Sequence, residues 1–196
     1  MTEQLDKKIK SNAAPQGLIL GVIVTILGIL SFYIMIWLTG QVTLILALPF
    51  LLGIVIPFAI LIFFTFQLRK KIGGFWGFRQ AVTGVFIMLL VAFAVQYVVR
   101  DLIFANVIEP HMVEKTENAM ITSVTAALEK SNVKQEDIDK KMADIQKGFN
   151  EQKNVTIGYR LKGIAVSLIL MFVIALILAA FFKKEGHVFN PNIEAE

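Results

Sequence analysis

Residues 17–38 read GLILGVIVTILGILSFYIMIWL, a run of 22 residues without a charged side chain. An α-helix rises 1.5 Å per residue, so this run reaches about 33 Å, enough to cross a hydrocarbon layer about 30 Å thick. A helix that is apolar on every side needs lipid or protein around it. The stretch therefore predicts a membrane-spanning helix, and it decides the fold class.

Three further apolar runs follow along the chain, and the next begins just after a short turn around Gly40 and Gln41. We predict membrane spans at about residues 16–39, 42–67, 80–104 and 161–182. The short turn makes the first two spans a tight antiparallel hairpin. Pro49 and Pro57 lie inside the second span, and each removes a backbone donor, so we expect them to kink this helix.

The composition agrees with a membrane protein, because 56% of the 196 residues are hydrophobic and 17% are charged. A soluble domain of this size does not hide so much apolar surface, so the lipid bilayer is the first expected partner. The net charge of +4 comes from basic residues at the edges of the spans, and we expect no nucleic-acid partner. The chain has no cysteine, which excludes disulfides, thiolate catalysis and cysteine zinc sites.

The segment 110–154 differs from the spans, because it is polar and carries charges of both signs. It contains two one-sided apolar stripes at helical spacing, with Asn132 between them as the expected turn residue. The first stripe is Val113, Met120, Val124 and Ala127, and the second is Ile138, Met142, Ile145 and Phe149. We predict an antiparallel helical hairpin outside the lipid, buried against itself, the bundle or a partner. The predicted fold is all-α: a single membrane domain over 1–196, built as a four-helix bundle with this extramembrane hairpin between spans 3 and 4.

Orientation follows from the distribution of Lys and Arg, which favour the cytoplasmic side of short loops. The short flanks on one side carry nine of them: Lys7, Lys8, Lys10, Arg69, Lys70, Lys71, Arg79, Lys183 and Lys184. The Gly40 turn has none, and residues 109–162 balance nine basic against nine acidic residues. We therefore expect both termini in the cytoplasm and the insert outside. Arg69, Lys70, Lys71, Trp76 and Arg79 are the expected interfacial anchors.

Small residues mark candidate helix-packing surfaces on two spans. Gly17, Gly21 and Gly28 share a face of the first span, and a Gly-x-x-x-Gly spacing lets two backbones approach closely. Gly77, Ala81 and Gly84 open the third span and are possible partners of that face. Packing within one chain is the favoured interpretation, and a homo-oligomer contact is the alternative.

Gln96, Arg100 and Asp101 form a candidate polar site at the membrane edge of the third span. Polar groups at membrane depth suggest function, whereas a structural cap on the bundle is the competing and favoured interpretation. No charged residue occupies the middle of a span, and no catalytic motif, cofactor motif or metal-ligand motif occurs. His111 and His187 are expected on opposite sides of the membrane, so we predict no metal site, no cofactor and no enzymatic activity.

Three stretches carry a resemblance to a known family. They are GGFWGFRQA at 73–81, FANVIEP at 104–110, and NVKQEDI at 132–138 followed by a span that ends in Lys183 and Lys184. Together they resemble domain-of-unknown-function family 4199, small four-pass membrane proteins of bacteria. The resemblance implies a multi-pass protein of the bacterial cytoplasmic (inner) membrane and brings no activity.

Two functional hypotheses remain open from the sequence. The first is a non-enzymatic membrane component that binds another envelope protein through the insert at residues 110–154. The alternative is a small oligomeric transporter or channel that uses the kinked second span and Gln96.

Overall fold

The computed structural model describes residues 2–153 and 156–184, and these residues form six helices with no β-strand among them. The helices are α1 Thr2–Trp37, α2 Val42–Lys71, α3 Phe78–Ile108, α4 Met112–Lys130, α5 Gln135–Lys153 and α6 Ile157–Phe182. The all-α class predicted from the sequence is confirmed.

Four of the helices, α1, α2, α3 and α6, are long and apolar enough to cross a membrane, and they form the bundle. They differ in length from the predicted spans, since α1 begins at Thr2 and runs through Pro15, and α3 continues to Ile108. The early start of α1 has a packing reason, because Ile9 and Ala13 of its polar first part are buried in the core. Which part of each helix lies in lipid stays a prediction.

Helices α1 and α3 run side by side in the same direction and form the central pair of the bundle. Their contacts keep nearly the same register along most of their length: Gly17 lies against Met88, Gly21 against Val95 and Phe32 against Phe104. Helix α6 packs antiparallel on the other side of α3, where the rings of Phe86 and Phe172 meet edge to face at 5.7 Å.

Most of the hydrophobic core lies toward one end of the bundle, which we call the basic end. It contains the start of α1, the connector 72–77 between α2 and α3, and the end of α6. All four long helices contribute buried residues there, among them Ile9, Leu68, Val85, Met88, Ala175 and Ala179. We call the opposite end of the bundle the insert end. None of residues 158–170, which form the part of α6 toward that end, is buried.

Helix α2 contains a wide π turn at Leu51–Val55, between Pro49 and Pro57. The amide of Ile56 there bonds to the carbonyl of Leu51, five residues back. Proline cannot donate such a bond, and a local π turn is one way in which membrane helices absorb this loss. The disturbance expected at the two prolines therefore takes the form of a wider turn between them.

The predicted helical hairpin in the insert is present as α4 and α5, and Asn132 lies in the turn with a left-handed φ of 54°. Of the stripe on α5, Ile138 is buried, and the sulfur of Met142 accepts a 3.1 Å hydrogen bond from Thr125 of α4. Residue 154, the last of the predicted insert, lies outside the described residues. The two insert helices thus pack on each other.

Helix α4 also packs on the bundle, through a face that the apolar stripe did not indicate. Its buried residues are Ala119, Ser123 and Glu117, whereas Val113, Met120, Val124 and Ala127 are half-buried. Ala119 clusters with Met35 and Ile45 at the α1–α2 turn. Small residues allow α4 to approach this turn closely, and sequence periodicity does not detect such a contact.

Candidate functional site

The connector 72–77 forms a clasp on the end of α6 at the basic end. Trp76 is 1% exposed, and its indole Nε1 donates a 2.8 Å hydrogen bond to the carbonyl of Phe182. The backbones of Trp76 and Lys184 pair in both directions, at 2.9 and 3.1 Å. Arg69 also donates to the Phe182 carbonyl, at 3.4 Å. These bonds satisfy carbonyls that a helix end leaves without a partner.

Gly73 and Gly74 let the connector turn back toward α6, because both have φ in the left-handed region, at 116° and 86°. Farther along, Gln80 joins the start of α3 to α1. Its side-chain oxygen accepts from the amide of Gly77 at 3.0 Å, and its nitrogen donates to Asp6 at 3.2 Å. The basic end is therefore held together by bonds that involve all four long helices.

The five predicted interfacial anchors divide into two groups. Lys70, Lys71 and Arg79 are exposed at the basic end, and the ammonium of Lys70 lies 4.6 Å from the ring of Phe66. Contact of these side chains with lipid headgroups stays a prediction. Trp76 differs from the expectation, because its indole is buried and bonded inside the protein. Arg69 is half-buried and likewise contacts Phe182.

The predicted small-residue sets do not meet each other. A Cβ atom at Gly17 would lie 2.4 Å from the carbonyl oxygen of Met88, and one at Gly21 would lie 2.8 Å from Val95. Gly84 instead faces Trp76, Ile9 and Leu68. The reason is register, since the parallel pairing of α1 and α3 sets Gly17 and Gly21 opposite residues 88–95. Of the other members, Ala81 is buried in the core, Gly77 precedes the first turn of α3, and Gly28 lies beside Arg100.

The predicted polar trio is likewise divided between two faces of α3. Arg100 lies against α1, with side-chain atoms 3.7 Å from the Cβ position of Gly28. Gln96 donates a long hydrogen bond of 3.5 Å to the carbonyl of Ala92 in its own helix. Asp101 lines a cleft to which neither Gln96 nor Arg100 contributes, although the positive charge of Arg100 still acts on its carboxylate. Arg100 and Asp101 are neighbours in sequence, and neighbouring residues of a helix point in different directions.

The cleft that contains Asp101 lies at the insert end and has a volume of about 590 Å³. Its walls come from three helices, and Arg160 is the contribution of α6. Its polar lining residues are Tyr97, Asp101, Asn106, His111, Glu114 and Arg160. The imidazole Nδ1 of His111 lies 3.2 Å from a carboxylate oxygen of Glu114. Asn106 donates to the carbonyls of Asp101 and Leu102, at 2.6 and 3.1 Å, and so holds the wide π-helical end of α3.

A family model for a protein of unknown function, DUF4199, matches residues 17–184 of the chain. The chain belongs to this family. No curated protein and no protein of solved structure is similar to it. The match confirms the family resemblance stated from the sequence. The four long apolar helices indicate that this DUF4199 member is a membrane-embedded protein, and its role is unknown.

Sequence reasoning missed Gln16 of this DUF4199 protein, which stands just before the first uncharged run and looks like its polar edge. In the structure Gln16 is 1% exposed, and neither its amide oxygen nor its amide nitrogen has a hydrogen-bond partner. A buried amide without a partner is costly, by about 1–3 kcal/mol. No signal in the sequence distinguishes it from a solvated residue at the end of a span.

Within residues 2–153 and 156–184, no group of three His, Cys, Asp or Glu side chains is arranged to hold a metal ion. His111 of the cleft is accompanied by Glu114 alone at bonding distance. His187 lies outside the described residues.

Proposed function

We propose that this chain is a non-enzymatic membrane protein that binds another envelope protein through its insert. The observation that carries the proposal is the fixed attachment of α4 to the bundle, which presents α5 at a defined position. Helices in a bundle are usually connected by about 2–8 residues. Two helices of 19 residues each are far more than this connection needs.

The attachment of α4 rests on polar and apolar contacts at the insert end. Ser123 is fully buried, and its hydroxyl oxygen accepts a 2.8 Å hydrogen bond from the backbone amide of Gly40. Farther toward the start of α4, Lys115 forms an ion pair with Glu109, and Glu109 also accepts from the hydroxyl of Tyr33 at 3.5 Å. A surface held in this way loses little conformational entropy when a partner binds.

Helix α5 offers the partner a polar face. Its apolar stripe turns inward to α4, and its outward residues carry both charges, including Lys140, Lys141, Asp144 and Lys147. Charges of both signs on a rigid helix select a partner with the complementary pattern and raise the rate of encounter. The proposed partner is therefore a protein whose docking surface bears opposite charges in the same order.

The location that goes with this function is the bacterial cytoplasmic (inner) membrane, with both termini cytoplasmic and the insert outside. The nine basic residues of the short flanks support this orientation, since Lys and Arg near span ends are retained on the cytoplasmic side. In that arrangement α5 faces the other proteins of the cell envelope.

Photo-cross-linking of the full chain in native membranes tests the proposal. A photoreactive amino acid at Lys141 faces outward, and the same amino acid at Met142 faces α4, so the pair differs by one residue. We expect Lys141 to capture one protein reproducibly and Met142 to give cross-links within the chain. The captured protein must also be lost when Lys140 and Lys147 are both changed to Glu while the photoreactive amino acid stays at position 141 and the abundance of the chain is normal. Capture of nothing, or of copies of the chain alone, would refute the proposal.

Transport by a small oligomer is the second candidate, and the buried amide of Gln16 is the observation that favours it. A buried polar group without a partner in a helix that can span a membrane is a candidate for solute contact. Proteoliposomes that contain the full chain, tested for swelling in small neutral solutes, discriminate between the two functions. Solute entry that is abolished by Gln16→Met would support transport, and the absence of entry would leave the binding function alone.

A further inference from the structure

The cleft between α3, α4 and α6 has the properties of a small-molecule site, independently of the outward face of α5. Its volume of about 590 Å³ lies within the range of roughly 300–1,000 Å³ that is usual for ligand sites. One wall is the π-helical end of α3, and such wide turns are frequent at functional sites. The wall is held by the two hydrogen bonds of Asn106.

The charges that line the cleft are of opposite sign and come from different helices. Asp101 of α3 and Glu114 of α4 are carboxylates, and Arg160 of α6 is a guanidinium. Across the described part of the chain, neither Asp101 nor Arg160 forms an ion pair with another side chain. The positive charge of Arg100 acts on Asp101, but since no ion pair among the described residues occupies either Asp101 or Arg160, both can bind a ligand that has one cationic and one anionic group.

The surface beside the cleft is apolar. Leu102 lies at the cleft itself, Val98 lies one helical turn before it on α3, and Leu161 follows Arg160 on α6; all three are exposed. A ligand with a charged head in the cleft has room for hydrocarbon along these side chains. This combination favours an amphiphile over a free solute.

We propose that the cleft binds the headgroup of an ethanolamine phospholipid. The guanidinium of Arg160 binds the phosphate, because it is a permanently charged donor suited to phosphate oxygens. The carboxylates of Asp101 and Glu114 accept hydrogen bonds from the primary ammonium. A choline headgroup has no N–H to donate, and a glycerol headgroup has no cation, so both fit less well.

Such a lipid joins a part of the bundle that otherwise has few contacts. Residues 158–163 of α6 are all exposed, and none of residues 158–170 is buried. A headgroup held by Arg160 on one side and by Asp101 and Glu114 on the other links α6 to α3 and α4. Bound lipid therefore restrains the start of the last helix.

Native mass spectrometry of the full chain in detergent tests the proposal, with ethanolamine, choline and glycerol phospholipids of identical acyl chains as probes. We expect the ethanolamine lipid to bind about tenfold more tightly than the other two, since a charged hydrogen bond contributes on this scale. Arg160→Gln should weaken the binding of all three lipids by about tenfold, because all three carry the phosphate, whereas Asp101→Asn should remove most of the preference for the ethanolamine lipid. Lys141→Gln and Asp144→Asn, on the exposed face of α5, are the matched controls and should leave it unchanged.

A second measurement keeps the test independent of how well each variant folds. Hydrogen exchange of residues 156–166 in the unaltered chain should slow when ethanolamine lipid is added and stay the same with glycerol lipid. Equal affinity for the three lipids in the unaltered chain, a preference retained in Asp101→Asn, lipid affinity unchanged in Arg160→Gln, or unchanged exchange would overturn the proposal. If free phosphoethanolamine bound as tightly as the lipid, the ligand would be a soluble zwitterion and the proposal of a lipid would be refuted.

Discussion

The indole nitrogen of Trp76 donates a 2.8 Å hydrogen bond to the carbonyl oxygen of Phe182, the last residue of α6. Through this bond the connector between α2 and α3 closes the basic end of the bundle. The carbonyl lies at a helix C-terminus, where no amide of the same helix reaches it. Trp76 is therefore both a core side chain and a cap.

Trp76→Phe should lower the free energy of unfolding by about 1–3 kcal/mol, because it removes the donor and part of a buried ring. Thermal unfolding followed by circular dichroism measures the effect. Trp37→Phe is the matched control, since Trp37 is 84% exposed and its replacement should have little effect. Equal effects of the two replacements would contradict the role of Trp76 as a cap.

Gly17→Ala should destabilise the α1–α3 pair by about 1–3 kcal/mol, the range for an overpacked core. The new Cβ would lie 2.4 Å from the backbone carbonyl oxygen of Met88, which cannot move without shifting a helix. Gly53→Ala is the matched control, because nothing lies within 4 Å of its Cβ position. Unfolding midpoints of the two variants in the same detergent provide the comparison, and a stable Gly17→Ala variant would argue against the close approach.

Gln16→Met should raise the stability of the protein by about 1–3 kcal/mol, because it replaces an amide without a partner by an apolar side chain of similar length. Gln80→Met should act in the opposite direction, since Gln80 bonds to Gly77 and Asp6. Thermal unfolding of both variants tests whether Gln16→Met raises the stability and Gln80→Met lowers it. A loss of stability in Gln16→Met would show that the amide is bound to water or a solute.

Ser123→Ala should loosen the insert from the bundle, at a cost of about 0.5–1.5 kcal/mol, because the amide of Gly40 loses its acceptor on α4. Faster hydrogen exchange in α4 is the expected observation. Ser131→Ala is the control, since Ser131 is exposed and its hydroxyl bonds to Ala127 of its own helix. If exchange in α4 were the same in both variants, the Ser123–Gly40 contact would not hold the insert.

The orientation of the chain can be measured by cysteine labelling, because the native chain has no thiol. An impermeant maleimide applied to intact cells should react with Ser131→Cys in the insert and spare Lys71→Cys at the basic end. Both positions are exposed, so protection reflects the side of the membrane. Reaction at Lys71→Cys alone would reverse the proposed topology.

The four apolar helices and the hairpin were predictable from the sequence, because apolar runs and periodic stripes are local properties. The turn at Asn132 was predictable for the same reason, since asparagine favours turns whatever the fold around it. The partners of Trp76 and Ser123 were not, because they lie 106 and 83 residues away in sequence. The contact of Arg100 with Gly28 depends on the register of α3 against α1, which no local pattern sets.

The clasp at Trp76 joins two parts of the chain that are synthesised at very different times. Its donor is synthesised with the connector, whereas its acceptor is 106 residues later and belongs to the final turn of the last membrane helix. During translation, the indole of Trp76 therefore has no acceptor until the last of the four long helices has been synthesised. A chain stalled or cleaved before Phe182 lacks this acceptor, so the connector has no last-helix end to close on.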